Sequence, residues 1–213
     1  MIALLCAVPA ERRALAPLAG PAVTLHVSGI GPEAAARAAE AVGATRPASL
    51  ISVGFCGALH PGLHVGDLVA PDEVLDRGTG ERFTPDPWLL ERLPGRRGTL
   101  TTAGRLARTP GEREELDGVA VDMESAAVAR VARRRRIPFA ALRAVTDEVR
   151  HRLPDLDACT DSRGRLVATA CAAHLARHPA DIPALFRLGP AAATAGRALR
   201  SGVRDLLVRL GPA

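Results

Sequence analysis

Residues 119–147 read VAVDMESAAVARVARRRRIPFAALRAVTD. Residues 119–121 are a short apolar run, as expected of a strand buried on both faces. From Met123 to about Arg135 the chain is rich in Ala and Arg, both good helix formers. Residues 139–145 are apolar again and read as the last clear strand. Strand, helix and strand follow one another with almost no spacer. The same alternation runs outward to the N-terminus. Residues 2–8 read as a buried strand, 10–18 as a helix, and 23–27 as a strand ending in the turn Ser28-Gly29-Ile30-Gly31. Residues 32–42 form a helix with Pro32 at its first position, where the missing N–H costs nothing. Residues 50–53 are a strand, followed by a glycine-lined turn, Gly54-Phe55-Cys56-Gly57. Further strands are expected at 65–70 and 99–102, and a polar loop at 76–87. Beyond Asp161 the chain reads as helical to its end, interrupted at Pro179, Pro183 and Pro190. Alternating strands and helices of this kind imply an α/β fold: a central, mostly parallel mixed sheet covered by helices on both faces.

The 213 residues suffice for one domain with a full core and are few for two. No internal repeat or linker divides them, so residues 1–213 are read as one domain with a helical tail from about residue 180. Hydrophobic residues make up 47% and aromatics 2%, so the core must be built from Ala, Val, Leu and Ile. There is no lysine, and the 28 basic residues are all Arg; that skew looks like GC-rich coding and carries no functional weight. The formal charge is +5, which suits a nucleic acid or an anionic membrane. The arginines are spread along the chain, however, and almost no aromatics are present for bases to stack on. Nucleic acid is a poor fit.

Cys6, Cys56, Cys159 and Cys171 show neither CxxC nor zinc-finger spacing. They read as small buried apolar residues in a reducing compartment, and neither a metal nor a cofactor is implied. Residues 1–13 lack the basic start of a signal peptide. No apolar stretch reaches the roughly 20 residues of a membrane span. The expected location is cytoplasmic, at most peripheral to the inner membrane.

Open α/β sheets place their ligands at strand ends, and the polar residues of this chain gather there. Glu11 follows the first strand in Cys6-Ala7-Val8-Pro9-Ala10-Glu11. Ser28-Gly29-Ile30-Gly31 opens a helix whose N–H groups could face an anion or a hydroxyl. Gly54-Phe55-Cys56-Gly57 lets a ligand approach the backbone. Asp122-Met123-Glu124-Ser125 and Arg143-Ala144-Val145-Thr146-Asp147 close the set. Taken singly, Glu11 or Asp147 is more simply a helix cap or a dipole partner.

In order and spacing these segments resemble the purine nucleoside phosphorylase and nucleosidase superfamily, which includes the methylthioadenosine/adenosylhomocysteine nucleosidases. The resemblance covers residues 2 to about 150 and is most specific in V-D-M-E-S-A-A and R-A-V-T-D. It implies the phosphorylase-like three-layer fold and cleavage of an N-glycosidic bond. The sugar then becomes oxocarbenium-like, and the base leaves most easily with help from a general acid near purine N7. The family's Asp in that role matches Asp147; such catalysis is worth roughly 10²–10⁴-fold. The family's ribose-gripping Glu matches Glu124, Met123 matches an apolar wall against the nucleoside, and Gly54 and Phe55 fall in the substrate-binding turn. Arg143 matches an Arg that orients carboxylates, with a purely structural ion pair as the other reading.

The nucleophile is also legible. Phosphorylases of this fold carry G-D-P-x-R after the first strand and R-V-G-S before the C-G turn, with Arg and Ser for phosphate. This chain has Ala7-Val8-Pro9-Ala10-Glu11 in the first place, and Ser52 and Phe55 in the second. Glu11 falls where the nucleosidases keep the Glu that activates water. An anion site without its arginines loses most of its electrostatic binding, so hydrolysis is favoured and phosphorolysis is the alternative.

Residues 72–88 are short beside the methylthioadenosine nucleosidases, where this region helps to close the pocket around the 5′ substituent. Phe55 also replaces a small Ser. Both suggest a bulky 5′ group. In the tail, Leu199, Val203, Leu206, Leu207 and Leu210 recur at helical spacing with Arg197, Arg200, Arg204 and Arg209 between them. Such a helix lies in a membrane interface or packs on its own domain or on a partner subunit. A short chain with this tail resembles the hopanoid-associated branch of the superfamily. That resemblance implies adenosylhopane as substrate, releasing adenine and leaving ribosylhopane in hopanoid biosynthesis. Futalosine hydrolase, a methylthioadenosine nucleosidase and an inactive membrane-docked binding module are the alternatives. The family also implies a homo-oligomer.

Overall fold

The computed structural model describes residues 1–155, 157–159, 161 and 167–211. Among them nine strands form one sheet: β1 (Ile2–Cys6), β2 (Val23–Val27), β3 (Ser49–Ala58), β4 (Leu68–Val69), β5 (Glu73–Asp76), β6 (Arg82–Phe83), β7 (Thr99–Thr102), β8 (Ala120–Asp122) and β9 (Phe139–Asp147). The helices are α1 (Pro9–Leu15), α2 (Pro32–Ala44), α3 (Pro87–Arg92), α4 (Pro110–Glu114), α5 (Ser125–Arg135), α6 (Ala168–Arg177) and α7 (Ile182–Leu210). This mostly parallel mixed sheet, with antiparallel pairs β3/β8, β4/β9 and β5/β6, covered by helices on both faces, is the fold that the alternation implied.

Side chains of each central strand alternate between the two faces. Ala3, Leu5, Leu50, Phe139 and Ala141 join the core under α2 and α5. Leu4, Cys6, Ile51, Val53, Ala140, Leu142 and Ala144 join Leu15, Leu89, Leu199, Val203 and Leu206 on the opposite face. Alanines carry the contact between α2 and α5: Ala35, Ala39, Ala129 and Ala132 are all buried. A chain so poor in aromatics fills its core by close approach of backbone elements.

The central strand β3 is longer than its neighbours, and this creates the opening used below. One edge pairs in parallel with β9 from Leu50 to Gly57, with a register shift at Cys56/Gly57. The other edge pairs with β1 only over Ser49–Ser52 and with β8 only at Gly57 and Ala58. Residues 53–56 therefore have a strand partner on one side only. The expected turn at Gly54–Gly57 is instead part of this strand, because β9 continues to pair with it.

Other expectations are corrected as well. Residues 65–70 yield only β4, since residues 64–67 form a turn in which the His64 N–H is bonded to the Asp67 carboxylate at 2.8 Å. The expected loop at 76–87 contains β6, paired to β5 through Val74↔Phe83 and anchored by buried Phe83. The tail breaks before Pro179, and Pro183 sits in the first turn of α7, but Pro190 lies inside this helix. Pro190 and Phe186, whose carbonyl loses its donor, are both exposed, so water can satisfy that group. Residues 162–166 of the expected tail lie outside the described residues.

The apolar stripe of the tail packs inward. Leu199, Val203 and Leu206 are fully buried against the sheet, and Gly202 brings α7 so close that a Cβ there would stand 2.8 Å from Leu68 Cδ1. The packing alternative therefore holds for this stripe. We expect Leu199→Ala to lower unfolding free energy by about 2–5 kcal/mol, read from urea denaturation. A change near zero would show that the stripe is not part of the core.

Candidate active site

Glu11 occupies the gap beside β3. Pro9 starts α1 and places Glu11 in its first turn, where a carboxylate can reach back to unpaired backbone N–H groups. Its Oε2 accepts from the Ala7 and Val8 N–H groups at 2.7 and 3.0 Å, and its Oε1 accepts from the Phe55 N–H at 2.7 Å. The carboxylate takes the place of the missing strand partner of residue 55. Glu11 is 2% exposed, and burial pushes its carboxyl above the ordinary carboxylate range, against the pull of Arg143 and of the three backbone donors.

Arg143, on β9, is fully buried beneath this gap. Its guanidinium meets Asp122 at 2.6 Å and donates to Ser52 Oγ at 2.7 Å and Ser125 Oγ at 2.9 Å. Glu124 lies 3.9 Å from its Nη1. Asp122 is further held by the Ser125 N–H at 3.0 Å and the Thr102 hydroxyl at 2.7 Å. Gly54 makes the arrangement possible: a Cβ at that position would collide with Arg143 Nη1 and with Glu11 Oε1. Both readings of Arg143 thus describe one group, which is ion-paired and which holds carboxylates.

Glu124, between β8 and α5, accepts from the Gly31 N–H at 2.9 Å. Gly31 begins α2 with φ of 93°, a conformation open to glycine. The helix N-terminus that could face an anion or a hydroxyl thus donates to the chain's own carboxylate. Burial raises the Glu124 carboxyl to about 7; Arg143 opposes this shift and Asp122 adds to it.

Asp147 ends β9. Its Oδ1 accepts from the Thr146 hydroxyl at 2.8 Å, and its Oδ2 is ion-paired with buried Arg113. Gly57 leaves room for it, since a Cβ there would stand 2.8 Å from Oδ2. Burial pushes the Asp147 carboxyl up, more strongly than Arg113 pulls it down.

Glu11, Glu124, Asp147, Met123 and Phe55 all line one cavity of about 550 Å³, within the usual range of small-molecule sites. Gly54 and Arg143 do not line it; they lie behind the carboxylates. Residues 72–88, expected to close the pocket, do not line it either. Their hairpin is tied to α5 by Arg130, which pairs with Asp76 at 2.5 Å and with Glu81 at 2.9 Å. The wall comes instead from Leu106, Leu153, and Leu185, Leu188 and Ala192 of α7.

Sequence reading missed Asp122, Thr146, Arg113 and the α7 wall. Asp122 and Thr146 each adjoin a residue that was singled out, so adjacency was the available signal. Arg113 sits in Gly-Glu-Arg-Glu-Glu, which reads as an exposed charged turn. Among the described residues no group of three or more His, Cys, Asp or Glu side chains is placed to hold a metal.

A family model described as the Phosphorylase superfamily matches residues 6–178. No curated protein matches the chain. Among solved structures, futalosine hydrolase of Helicobacter pylori strain 26695 superposes with a TM-score of 0.73 at 12% identity, covering 98% of this chain and 97% of that one. A putative 5′-methylthioadenosine/S-adenosylhomocysteine nucleosidase from Borrelia burgdorferi B31, bound to adenine, gives 0.74 at 16% identity and coverages of 99% and 100%. The Neisseria meningitidis nucleosidase with methylthio-immucillin-A gives 0.63 at 20% identity, covering 94% and 98%.

Gly54→Ala is expected to force Arg143 and Glu11 apart and to cost about 1–3 kcal/mol, the usual penalty of overpacking. Chemical denaturation of the variant reads this directly. Unchanged stability would mean that the two side chains have room to move.

Proposed function

The chain belongs to the phosphorylase superfamily, and we propose that it hydrolyses the N-glycosidic bond of a purine nucleoside carrying a bulky apolar 5′ substituent. The observation that carries this reading is the convergence of Glu11, Glu124 and Asp147 on one cavity.

Each carboxyl suits a different task. Glu11, held by three backbone N–H groups, accepts a proton from water as the water attacks C1′ of the sugar. Its raised proton affinity makes it a better base once ionised. Glu124 accepts hydrogen bonds from the ribose hydroxyls, bonds that strengthen when the acceptor is charged. Asp147, raised by burial, gives its proton to purine N7 as the C1′–N9 bond breaks, so the base leaves neutral. The water oxygen stays on C1′, and its proton goes to Glu11.

Electrostatics favour water over phosphate. Among the described residues lining the cavity there is no basic side chain. The buried Arg143 faces Asp122, Glu124 and Glu11 together, so carboxylates outnumber it. Such a surplus stabilises a cationic sugar and repels an anionic nucleophile.

The apolar wall of Leu106, Leu153, Leu185, Leu188 and Ala192 supports the 5′ assignment. Adenosylhopane is the member of this substrate class to which the sequence resemblance points. The same wall runs out to the surface: Ile182 and Leu185 are each 39% exposed and Phe186 is 77% exposed. Arg187 follows them, and with Arg152 it lines a smaller cleft beside Leu153 and Leu188. Exposed apolar residues with flanking arginines suit an anionic lipid surface, which supports a membrane contact at the start of α7. No helix among the described residues is long and apolar enough to cross a membrane.

Asp147→Asn is expected to lower turnover by about 10²-fold or more with the fold retained. Glu11→Gln should do the same, and Glu124→Gln should raise KM and lower kcat together. Near-normal turnover by Asp147→Asn would refute the assignment. Because ionised Glu124 accepts more strongly and through both oxygens, KM should rise as pH falls below about 7; a flat KM would remove it from the ribose site. For the substrate class, the protein should prefer a 5′-alkylated adenosine to 5′-methylthioadenosine. It should also sediment with phosphatidylglycerol vesicles and lose that binding in Phe186→Asp. Preference for the thio-nucleoside with no vesicle binding would point to a small soluble substrate instead.

A further inference from the structure

Arg113 is the one fully buried arginine besides Arg143 among the described residues. It stands on α4, a short helix held by a reciprocal cap: the Glu112 N–H donates to Thr109 Oγ1 at 3.2 Å, and Glu112 Oε2 accepts from the Thr109 N–H at 3.0 Å. From there the guanidinium ties several segments together. Nε donates to the Ala107 carbonyl at 3.2 Å, and Nη1 donates to the carbonyls of Glu148 at 2.8 Å and Ala58 at 3.4 Å. Nη2 donates to Asp147 Oδ2. Arg113 does not line the main cavity, whereas Asp147 does.

We propose that Arg113 is the positioning residue of the acid: it fixes Oδ2 of Asp147 and so leaves Oδ1 as the oxygen that carries the proton to the leaving base. This rests on the reading of Asp147 as that acid. The argument is one of lone pairs and donors. An Arg N–H needs a free lone pair on Oδ2, and a proton on that oxygen would face the guanidinium. Among the described residues Thr146 is the hydrogen-bond partner of Oδ1, and the Thr146 hydroxyl also lies 3.3 Å from the Cys56 carbonyl. When Oδ1 is protonated, this hydroxyl turns its hydrogen to Cys56. A rigid planar fork on three backbone carbonyls cannot follow Asp147 as a lysine would, so the carboxyl is held at one angle over Gly57.

The positive charge also sets when the acid is ready. The other titratable or charged groups around Asp147 among the described residues are His151, Arg152 and Arg187 in the cleft beside it, Arg105 and Asp122 on its other side, and the Cys56 thiol of β3. None of these is altered by substituting Arg113. Removing its charge lets Asp147 keep its proton to higher pH.

The test compares Arg113→Met and Arg113→Lys with the parent protein, using 5′-methylthioadenosine or a 5′-alkylated adenosine, whichever is turned over. In Arg113→Met the basic limb of kcat/KM against pH should move up by about one unit or more, and kcat should fall about tenfold or more. In Arg113→Lys the limb should stay in place while kcat falls with KM within about twofold, because Arg113 touches no substrate. Both effects on kcat should vanish in an Asp147→Asn background. Normal kcat and an unmoved limb in folded variants would overturn the proposal, as would equal losses with and without Asp147. If Arg113→Met does not fold, the Arg113→Lys comparison in both backgrounds decides alone. Asp147→Asn by itself separates the two levels: if it stays active, the reading of the site fails, and if it is inactive while Arg113 variants are normal, only this inference fails.

Discussion

A guanidinium without water around it must be surrounded by acceptors, and Arg143 sets that requirement at the centre of this fold. Its position on β9 puts it under the middle of β3, where neither strand can supply acceptors from its own ladder. The chain answers with Asp122, Ser52 and Ser125 in contact and with Glu124 and Glu11 a little farther out. Removing one partner of such a buried pair costs about 3–5 kcal/mol. The constraint reaches into residue choice elsewhere. Gly54 has no side chain because Arg143 and Glu11 cross its face. Three of the carboxylates that meet the cavity, Asp122, Glu124 and Glu11, thus face from behind a group that never reaches it.

The second determinant is the unequal length of the strands. Had β1 or β8 continued along β3, the N–H of Phe55 would have been spent on a ladder bond. The gap leaves this donor for Glu11 and leaves Phe55 and Cys56 facing a cavity. A carboxylate that replaces a strand is fixed by backbone, not by flexible side chains, which is the kind of preorganisation a base needs.

The sequence carried the alternation of strands and helices and the strand-end carboxylates, because both are local patterns. Val23–Val27 and Thr99–Thr102, rich in the β-branched residues Val and Thr, fall where the sequence reading places them. What depended on distant pairing was not legible. Gly54–Gly57 reads as a turn by composition and becomes strand only because β9 pairs along it. Pro190 reads as a helix stop, yet α7 passes through it on its exposed side. Leu199, Val203 and Leu206 are an amphipathic stripe whether they meet lipid or sheet, and the periodicity alone does not choose. Met123, Glu124 and Asp147 were readable through the resemblance of their motifs. Arg113 was not, since nothing in its neighbourhood distinguishes a buried arginine from a solvated one.

The two ends of the cavity follow different logic. At the strand ends it is crowded with acids; toward α7 it is apolar and bounded by the exposed Leu185. That division matches a substrate whose sugar and base are recognised by charge and whose remainder is recognised by area. The central claim is that water, activated at Glu11, is the nucleophile. Turnover in ¹⁸O-labelled water containing phosphate tests it most directly. The account predicts one ¹⁸O atom at C1′ of the released sugar and a rate that does not depend on phosphate. Unlabelled sugar 1-phosphate, formed only when phosphate is present, would contradict it.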